Sequence, residues 1–209
     1  MKNNFSLLFL IATLFFVACG TETTEIQNPT PTTKKSPTIS KIKPPTPTPK
    51  KEKYSFIFQN LKKDASTLNV FNDVYHFTNI EQPIVMVTFF STWCPPCRGQ
   101  IPHLSNLQKK FKKNLFILSA LVHDDINDTE LNKFIISEKV LFFLSSTQEE
   151  NLKFADIITP KLGLSKEFIL PLMILFVKGK YFTHYEGTMP EEMIESDIKQ
   201  LLKKINQKD

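Results

Sequence analysis

Two cysteines three residues apart, Cys94 and Cys97, are the residues of this sequence best suited to chemistry. They lie in the stretch FFSTWCPPCRGQIP, behind an apolar run and with Pro95 and Pro96 between them. If a helix begins at the first cysteine, both thiols lie on one face of it. The free backbone N–H groups and the positive end of the helix dipole then favour the thiolate form of Cys94. The pattern therefore indicates thiol–disulfide exchange, in which Cys94 attacks and Cys97 resolves the intermediate.

Two other uses of the cysteine pair stay open. A Cys-x-x-Cys pair is half of a zinc or copper site, although no two histidines of the sequence have the spacing of metal ligands. A structural disulfide is the second alternative, although closing so short a loop stabilises a fold little. Trp93 directly precedes Cys94, which favours a wall of a reactive site over simple packing. We therefore predict a redox site that needs no metal and no other cofactor.

The net charge of +5 lies outside the region that has a folded pattern. Residues 20–53 hold seven lysines against three glutamates, and Lys2 supplies the remaining unit, so residues 54–209 are neutral. A neutral domain lacks the electrostatic footprint of a nucleic-acid-binding protein. The charge distribution therefore argues against DNA or RNA as a partner.

The first 53 residues have the pattern of export and tethering segments. Residues 1–18 place one positive charge before an apolar run, which is typical of a secretory signal. The run is short for a membrane-spanning helix, and an uncleaved anchor stays an alternative. The ending FVAC resembles a bacterial lipoprotein signal, which implies cleavage before Cys19 and acylation of its sulfur. Residues 19–53 continue with Pro, Thr and Lys and no hydrophobic period, which predicts a disordered tether.

The strand pattern begins at Tyr54 and defines a predicted domain over residues 54–209. YSFIFQN alternates like an edge strand, and TLNVFNDVYHF is a possible second strand. PIVMVTFF, NLFILSALV and VLFFLSS are apolar runs typical of buried strands, and the first of them ends at the cysteine motif. PLMILFVKGKYFTHYEG predicts a hairpin that turns at KGK.

Helical spacing follows the cysteine motif and recurs between the later strands. Asp128 or Thr129 is expected to cap a second helix, and a third is expected to pass through Leu152. The final segment is amphipathic, and Thr188 and Glu191 have the spacing of a capping box. Alternating strands and helices followed by a hairpin and a helix predict an α/β sandwich around a mixed sheet.

The segment FFSTWCPPCRGQIP resembles the active site of the thioredoxin superfamily, most closely the membrane-tethered TlpA/ResA-type reductases. The shared features are a buried strand, the W-C-x-x-C motif and a helix proline five residues later, here Pro102. The resemblance covers about Tyr54 to Lys204 and implies a thioredoxin-like sandwich, with a central mixed β-sheet, flanking helices and an N-terminal strand extension. It also implies a cis Leu170–Pro171 bond, with the Leu170 backbone placed to pair with an extended substrate.

The resemblance further implies a lipid-anchored thiol–disulfide oxidoreductase of the bacterial cell envelope, facing the periplasm or the exterior. We expect a reductase that acts on disulfides of envelope proteins, that takes electrons from a membrane donor and that serves cytochrome c maturation. An oxidase or isomerase stays an alternative, as does a redox-inert module that binds peptides. The expected substrate groove comprises Trp93, Pro95, Pro96, Leu170 and Pro171.

Two departures from the family concern the proton acceptor of the second thiol. Many such reductases carry Glu three residues after the second cysteine, where this chain has Gln100. Thioredoxin itself has an acid on the preceding strand, where this chain has Thr88. A neutral amide is no base at ordinary pH, so we expect Cys97 to resolve slowly near neutral pH. If residue 100 is only a solvated helix position, it has no such effect.

Overall fold

The computed structural model describes residues 53–207, which form one eight-stranded mixed sheet and four helices. The predicted signal segment, Cys19 and the tether up to residue 52 lie outside the described residues. The strands are β1 Lys53–Gln59, β2 Ala65–Phe71, β3 Val74–Phe77, β4 Ile84–Phe90, β5 Leu115–Leu121, β6 Phe143–Ser145, β7 Leu172–Val177 and β8 Lys180–Glu186. The helices are α1 Pro95–Lys110, α2 Asp128–Ser137, α3 Gln148–Lys161 and α4 Glu191–Asn206.

Strand β4 lies inside the sheet, whose order is β1-β2-β3-β8-β7-β4-β5-β6. It pairs in parallel with β5 and antiparallel with β7, and every one of its seven residues is buried. Its side chains alternate between the two faces, as the pleat requires. Ile84 and Met86 pack with residues of α1 and α4, whereas Val85 and Val87 pack with residues of α3. The predicted central strand and α/β sandwich are therefore confirmed.

The N-terminal strands pack against the buried face of α3. Phe154 of α3 is fully buried, and its ring lies 5.2 Å from that of Phe56 in β1 and 6.4 Å from that of Tyr75 in β3. The backbone N–H of Ser146, just after β6, donates to the carbonyl of Gln59 at 2.9 Å. The extension predicted from the resemblance therefore adds a wall to the core.

The β7–β8 hairpin turns at Lys178 and Gly179, as predicted from KGK, and both residues have positive φ. A side chain at Gly179 would meet the Tyr75 carbonyl oxygen at 2.8 Å. The Tyr75 backbone lies this close to Gly179 because its N–H donates to the Gly179 carbonyl oxygen at 2.7 Å. Glycine is therefore required here both by φ and by the neighbouring strand.

Three local predictions were wrong in detail. The segment TLNVFNDVYHF forms two strands, β2 and β3, because Asn72 and Asp73 adopt positive φ and turn the chain. Asn127 caps α2, since its side chain accepts the Glu130 N–H at 3.0 Å one residue before the predicted caps. Helix α4 begins after Pro190 without a side-chain cap, so the expected capping box is absent.

The described residues include no helix that is both long enough and apolar enough to cross a membrane.

Candidate active site

The cysteine motif begins where β4 ends. Cys94 is the N-cap of α1, with extended backbone angles, and Pro95 and Pro96 are the first two residues of the helix. Prolines fit there because first-turn N–H groups have no partner within the helix. The Cys97 N–H donates to the Cys94 sulfur at 3.3 Å. The expectation that a helix begins at the first cysteine is therefore confirmed to within one residue.

Cys94 and Cys97 form a disulfide, with Cα atoms 5.2 Å apart. Both residues are buried, at 5% and 2% exposure, and they pack with Phe90 and Ile101. Of the two, Cys94 lines the groove described below. A partner that enters this groove therefore meets Cys94 rather than Cys97.

A buried carboxylate, Asp124, holds the loop before the motif. Its Oδ2 accepts the Thr92 N–H at 2.5 Å, and its Oδ1 accepts the Ile126 N–H at 3.2 Å. Gln148 binds both backbone groups of Asp124, accepting its N–H at 3.0 Å and donating to its carbonyl. The sequence analysis missed Asp124. Its position just after β5 was the available signal, because the carboxyl ends of parallel strands meet at one edge.

Two further bonds join the same loops and orient Trp93. The Ser91 hydroxyl donates to the Val122 carbonyl at 2.5 Å, and the Trp93 indole N–H donates to the His123 carbonyl at 2.8 Å. Trp93 is nevertheless 63% exposed. The indole ring is therefore fixed at one edge while its face stays open to a partner, which supports the predicted wall of the site.

The Leu170–Pro171 peptide bond is cis, as the resemblance implied. Pro171 precedes β7, whose first residue, Leu172, pairs with Phe89 near the end of β4. The Pro171 carbonyl accepts the Gly187 N–H at 2.9 Å. Pairing of β7 with β4 thus brings Leu170 and Pro171 to the edge of the sheet that carries the cysteines.

A groove of about 700 Å³ opens beside Cys94. It collects five of the predicted site residues, whereas Cys97 and Pro171 lie outside its lining. Helix α3 and the segment after it supply a wall that sequence reasoning did not find, because these residues lie more than fifty positions from the motif. The lining comprises Trp93, Cys94, Pro95, Pro96, His123, Leu152, Ala155, Asp156, Lys166, Glu167, Phe168 and Leu170.

Residues 61–156 match the model of the AhpC/TSA family. Thioredoxin-like protein YneN of Bacillus subtilis is 28% identical over 118 residues, which are 54% of this chain and 62% of that protein. The thiol-disulfide oxidoreductase ResA of Bacillus thuringiensis is 25% identical over 121 residues, 56% of this chain and 62% of that protein. The chain thus spans about three fifths of the length of these curated relatives.

Solved structures share the overall fold of the chain. A thioredoxin family thiol:disulfide interchange protein of Chlorobium tepidum has a TM-score of 0.55 at 17% identity, over 71% of this chain and 93% of that one. A second protein of that organism, a putative DsbE, has a TM-score of 0.52 at 21% identity, over 73% and 97%. The chain has a thioredoxin-like fold. The fold of this thioredoxin-like protein is therefore the one that the cysteine motif predicted.

Gln100 is buried in this thioredoxin-like chain, at 1% exposure, so the alternative of a solvated helix position is wrong. Its Nε2 donates to the Met189 carbonyl at 3.0 Å, and its Oε1 accepts the Met189 N–H at 2.9 Å. Gln100 lies one helical turn after Cys97, and Met189 lies two residues after Gly187, which binds Pro171. The amide therefore joins the cysteine helix to the segment that supports the cis proline.

Thr88, at the position of the second missing acid, is buried and faces α1 and α4 together with Met86. It lies opposite Ser119 in the register of β4 and β5. Neither hydroxyl has a hydrogen-bond partner among the described residues. Hydroxyl groups are not bases near neutral pH, so neither Thr88 nor Ser119 can accept a proton from a thiol there.

The metal alternative lacks a ligand set within residues 53–207, where no three His, Cys, Asp or Glu side chains are grouped to hold an ion.

We predict that Gln100→Glu lowers the free energy of unfolding by about 1–3 kcal/mol at neutral pH, because a carboxylate cannot donate to the Met189 carbonyl. Burial disfavours the charged form and raises the pKa of the new carboxyl in the folded state. The loss should therefore be smallest below the unfolded pKa of about 4.3 and should grow as the pH rises above it. Denaturant unfolding between pH 3.5 and 7.5 measures it.

Gln100→Met is the matched control, because it removes both hydrogen bonds without adding a charge. Its loss should not depend on pH. Equal pH profiles for the two variants would show that residue 100 is not held in the buried environment described above.

Proposed function

We propose that this chain is a thiol–disulfide oxidoreductase in which Cys94 and Cys97 are the reactive pair. The observation that carries the proposal is a disulfide at the N-terminus of α1 whose first cysteine lines an open groove. A helix N-terminus favours a thiolate, and a second thiol one turn away can displace a bound substrate. The names of the curated relatives, thioredoxin-like protein and thiol-disulfide oxidoreductase, support the same activity.

The proposed reaction begins with the reduced dithiol. The Cys94 thiolate attacks one sulfur of a substrate disulfide, forming a mixed disulfide and releasing one substrate thiolate, which takes a proton. The Cys97 thiolate then attacks the Cys94 sulfur, which re-forms the Cys94–Cys97 bond and releases the second substrate thiolate. Two electrons pass to the substrate, and an external dithiol donor must return two electrons to the protein.

The groove also fits a redox-inert module that only binds peptides, so disulfide cycling is the property that separates the two functions. Iodoacetamide labelling before and after dithiothreitol reports such cycling directly. An inert module would show the same labelling in both states or would leave substrate disulfides intact.

We predict that Cys97→Ser accumulates mixed disulfides with a peptide disulfide, whereas Cys94→Ser forms none. The reason is access, since Cys94 lines the groove and Cys97 lies behind it among buried residues. Mass spectrometry of the unreduced protein measures the adducts, and the two variants control for each other. Faster alkylation of Cys97 than of Cys94 in the reduced wild type would contradict these roles.

We further propose that the protein acts as a reductase of envelope-protein disulfides, with the disulfide form of apocytochrome c as one substrate class and a membrane dithiol as the donor. The resemblance to TlpA/ResA-type reductases supports this direction. The predicted reduction potential then lies near the value of about −270 mV for thioredoxin, and equilibration with glutathione measures it. A value near about −120 mV would indicate the alternative of an oxidase.

Finally, we propose that the domain is held to the outer face of a bacterial membrane by an acylated Cys19. The apolar run that ends in FVAC and the tether rich in Pro and Lys support this location. A Cys94–Cys97 disulfide also persists more readily outside the cytoplasm. Labelling of expressing cells with palmitate should mark the wild type and not Cys19→Ser, and equal labelling of both would refute the anchor.

A further inference from the structure

A second groove, of about 750 Å³, lies between the β7–β8 hairpin and the end of α4. Val177, Leu201 and Ile205 give it an apolar floor. It adjoins the C-terminal end of β7, whereas Pro171 and the disulfide lie at the N-terminal end of that strand. A strand of six residues is roughly 20 Å long, so the two sites occupy opposite edges of the sheet.

Two aromatic side chains open this groove to solvent. Tyr181 is 42% exposed and Phe182 is 43% exposed, although they are neighbours on one strand. Neighbouring strand residues normally point to opposite faces. The register between β7 and β8 shifts here, with Phe176 opposite Tyr181 and Leu175 opposite Thr183, so Phe182 is the extra residue of a bulge. Bulges redirect side chains, and this one lets both rings line the same groove.

The rim of the groove is basic. Lys178, Lys180 and Lys204 line it, and none of its described lining residues is acidic. On the other side of Tyr181, the Asp73 carboxylate is already paired with Lys161 at 2.8 Å. Lys180 and Lys204 therefore present ammonium groups beside apolar and aromatic surface, on a domain whose net charge is zero.

We propose that this basic aromatic face docks onto an anionic lipid surface. Aromatic rings with one polar side fit the interface between lipid head groups and acyl chains. Lysines can lay their methylene stems over the apolar floor while their ammonium groups reach lipid phosphates. Docking through this face leaves the Cys94 groove pointing away from the lipid, where protein substrates have access to it.

The test moves the sole tryptophan of the chain from one edge of the sheet to the other. In the full chain, Trp93→Phe combined with Phe182→Trp places the only indole on the basic aromatic face. Vesicles of phosphatidylcholine with 30% phosphatidylglycerol should shift its emission to the blue, and brominated lipid should quench it. Pure phosphatidylcholine vesicles should do neither at 0.15 M salt, and Trp93 in the wild type should respond to neither vesicle.

Charge reversal identifies the lysines that are responsible. In the protein with the relocated tryptophan, Lys180→Glu with Lys204→Glu should raise the concentration of anionic lipid needed for half of the response at least tenfold. The control, Lys62→Glu with Lys63→Glu, changes the total charge equally at the exposed β1–β2 turn and should shift it less than twofold.

Several outcomes would overturn the proposal. One is an indole at position 182 that responds equally to neutral and anionic vesicles, or to neither. Another is a comparable response from Trp93. A response to a polyglutamate peptide without any response to vesicles would also overturn it and would indicate an acidic protein partner instead.

Discussion

Pairing of β4 along both of its edges is the constraint on which the candidate site depends. Pairing with the parallel strand β5 and the antiparallel strand β7 brings one end of each of the three strands to the same edge of the sheet. Cys94 follows the end of β4, Asp124 follows the end of β5, and Pro171 precedes the start of β7. A strand that is buried on both faces cannot shift its register without exposing core side chains. The relative positions of these three residues are therefore set by the core rather than by the loops themselves.

The loops at this edge must still satisfy their backbone groups, since a buried N–H without a partner costs about 1–3 kcal/mol. The Asp124 carboxylate accepts the Thr92 N–H, and the Ser91 hydroxyl donates to the Val122 carbonyl, two residues before Asp124. The same bonds fix the direction in which the chain enters α1. Rigidity at the site thus follows from hydrogen-bond satisfaction, and the exposed indole face of Trp93 remains the open element.

Local patterns explain which features the sequence could predict. The β4 run, the helix start at Cys94 and the turn at Gly179 depend on a few adjacent residues, and all three were predicted. The cap of α2 was misplaced because Asn127, Asp128 and Thr129 are adjacent and all suit the role. The contacts of Asp124 with Thr92 and of Gln100 with Met189 join residues 32 and 89 positions apart, and neither leaves a periodic signal.

The two hydrogen bonds between Gln100 and Met189 give a structural reason for an amide, rather than a base, at position 100. A carboxylate at this position could accept a proton, but it would face the Met189 carbonyl and could not bind both backbone groups. The amide therefore binds both backbone groups of Met189, in the segment beside the cis proline, but it cannot accept a proton. Thr88 and Ser119, which face each other across β4 and β5, carry hydroxyls that are not bases near neutral pH. In the reaction proposed above, none of residues 88, 100 and 119 can accept the proton of Cys97, so we expect the rate of resolution to rise with pH as that thiol ionises.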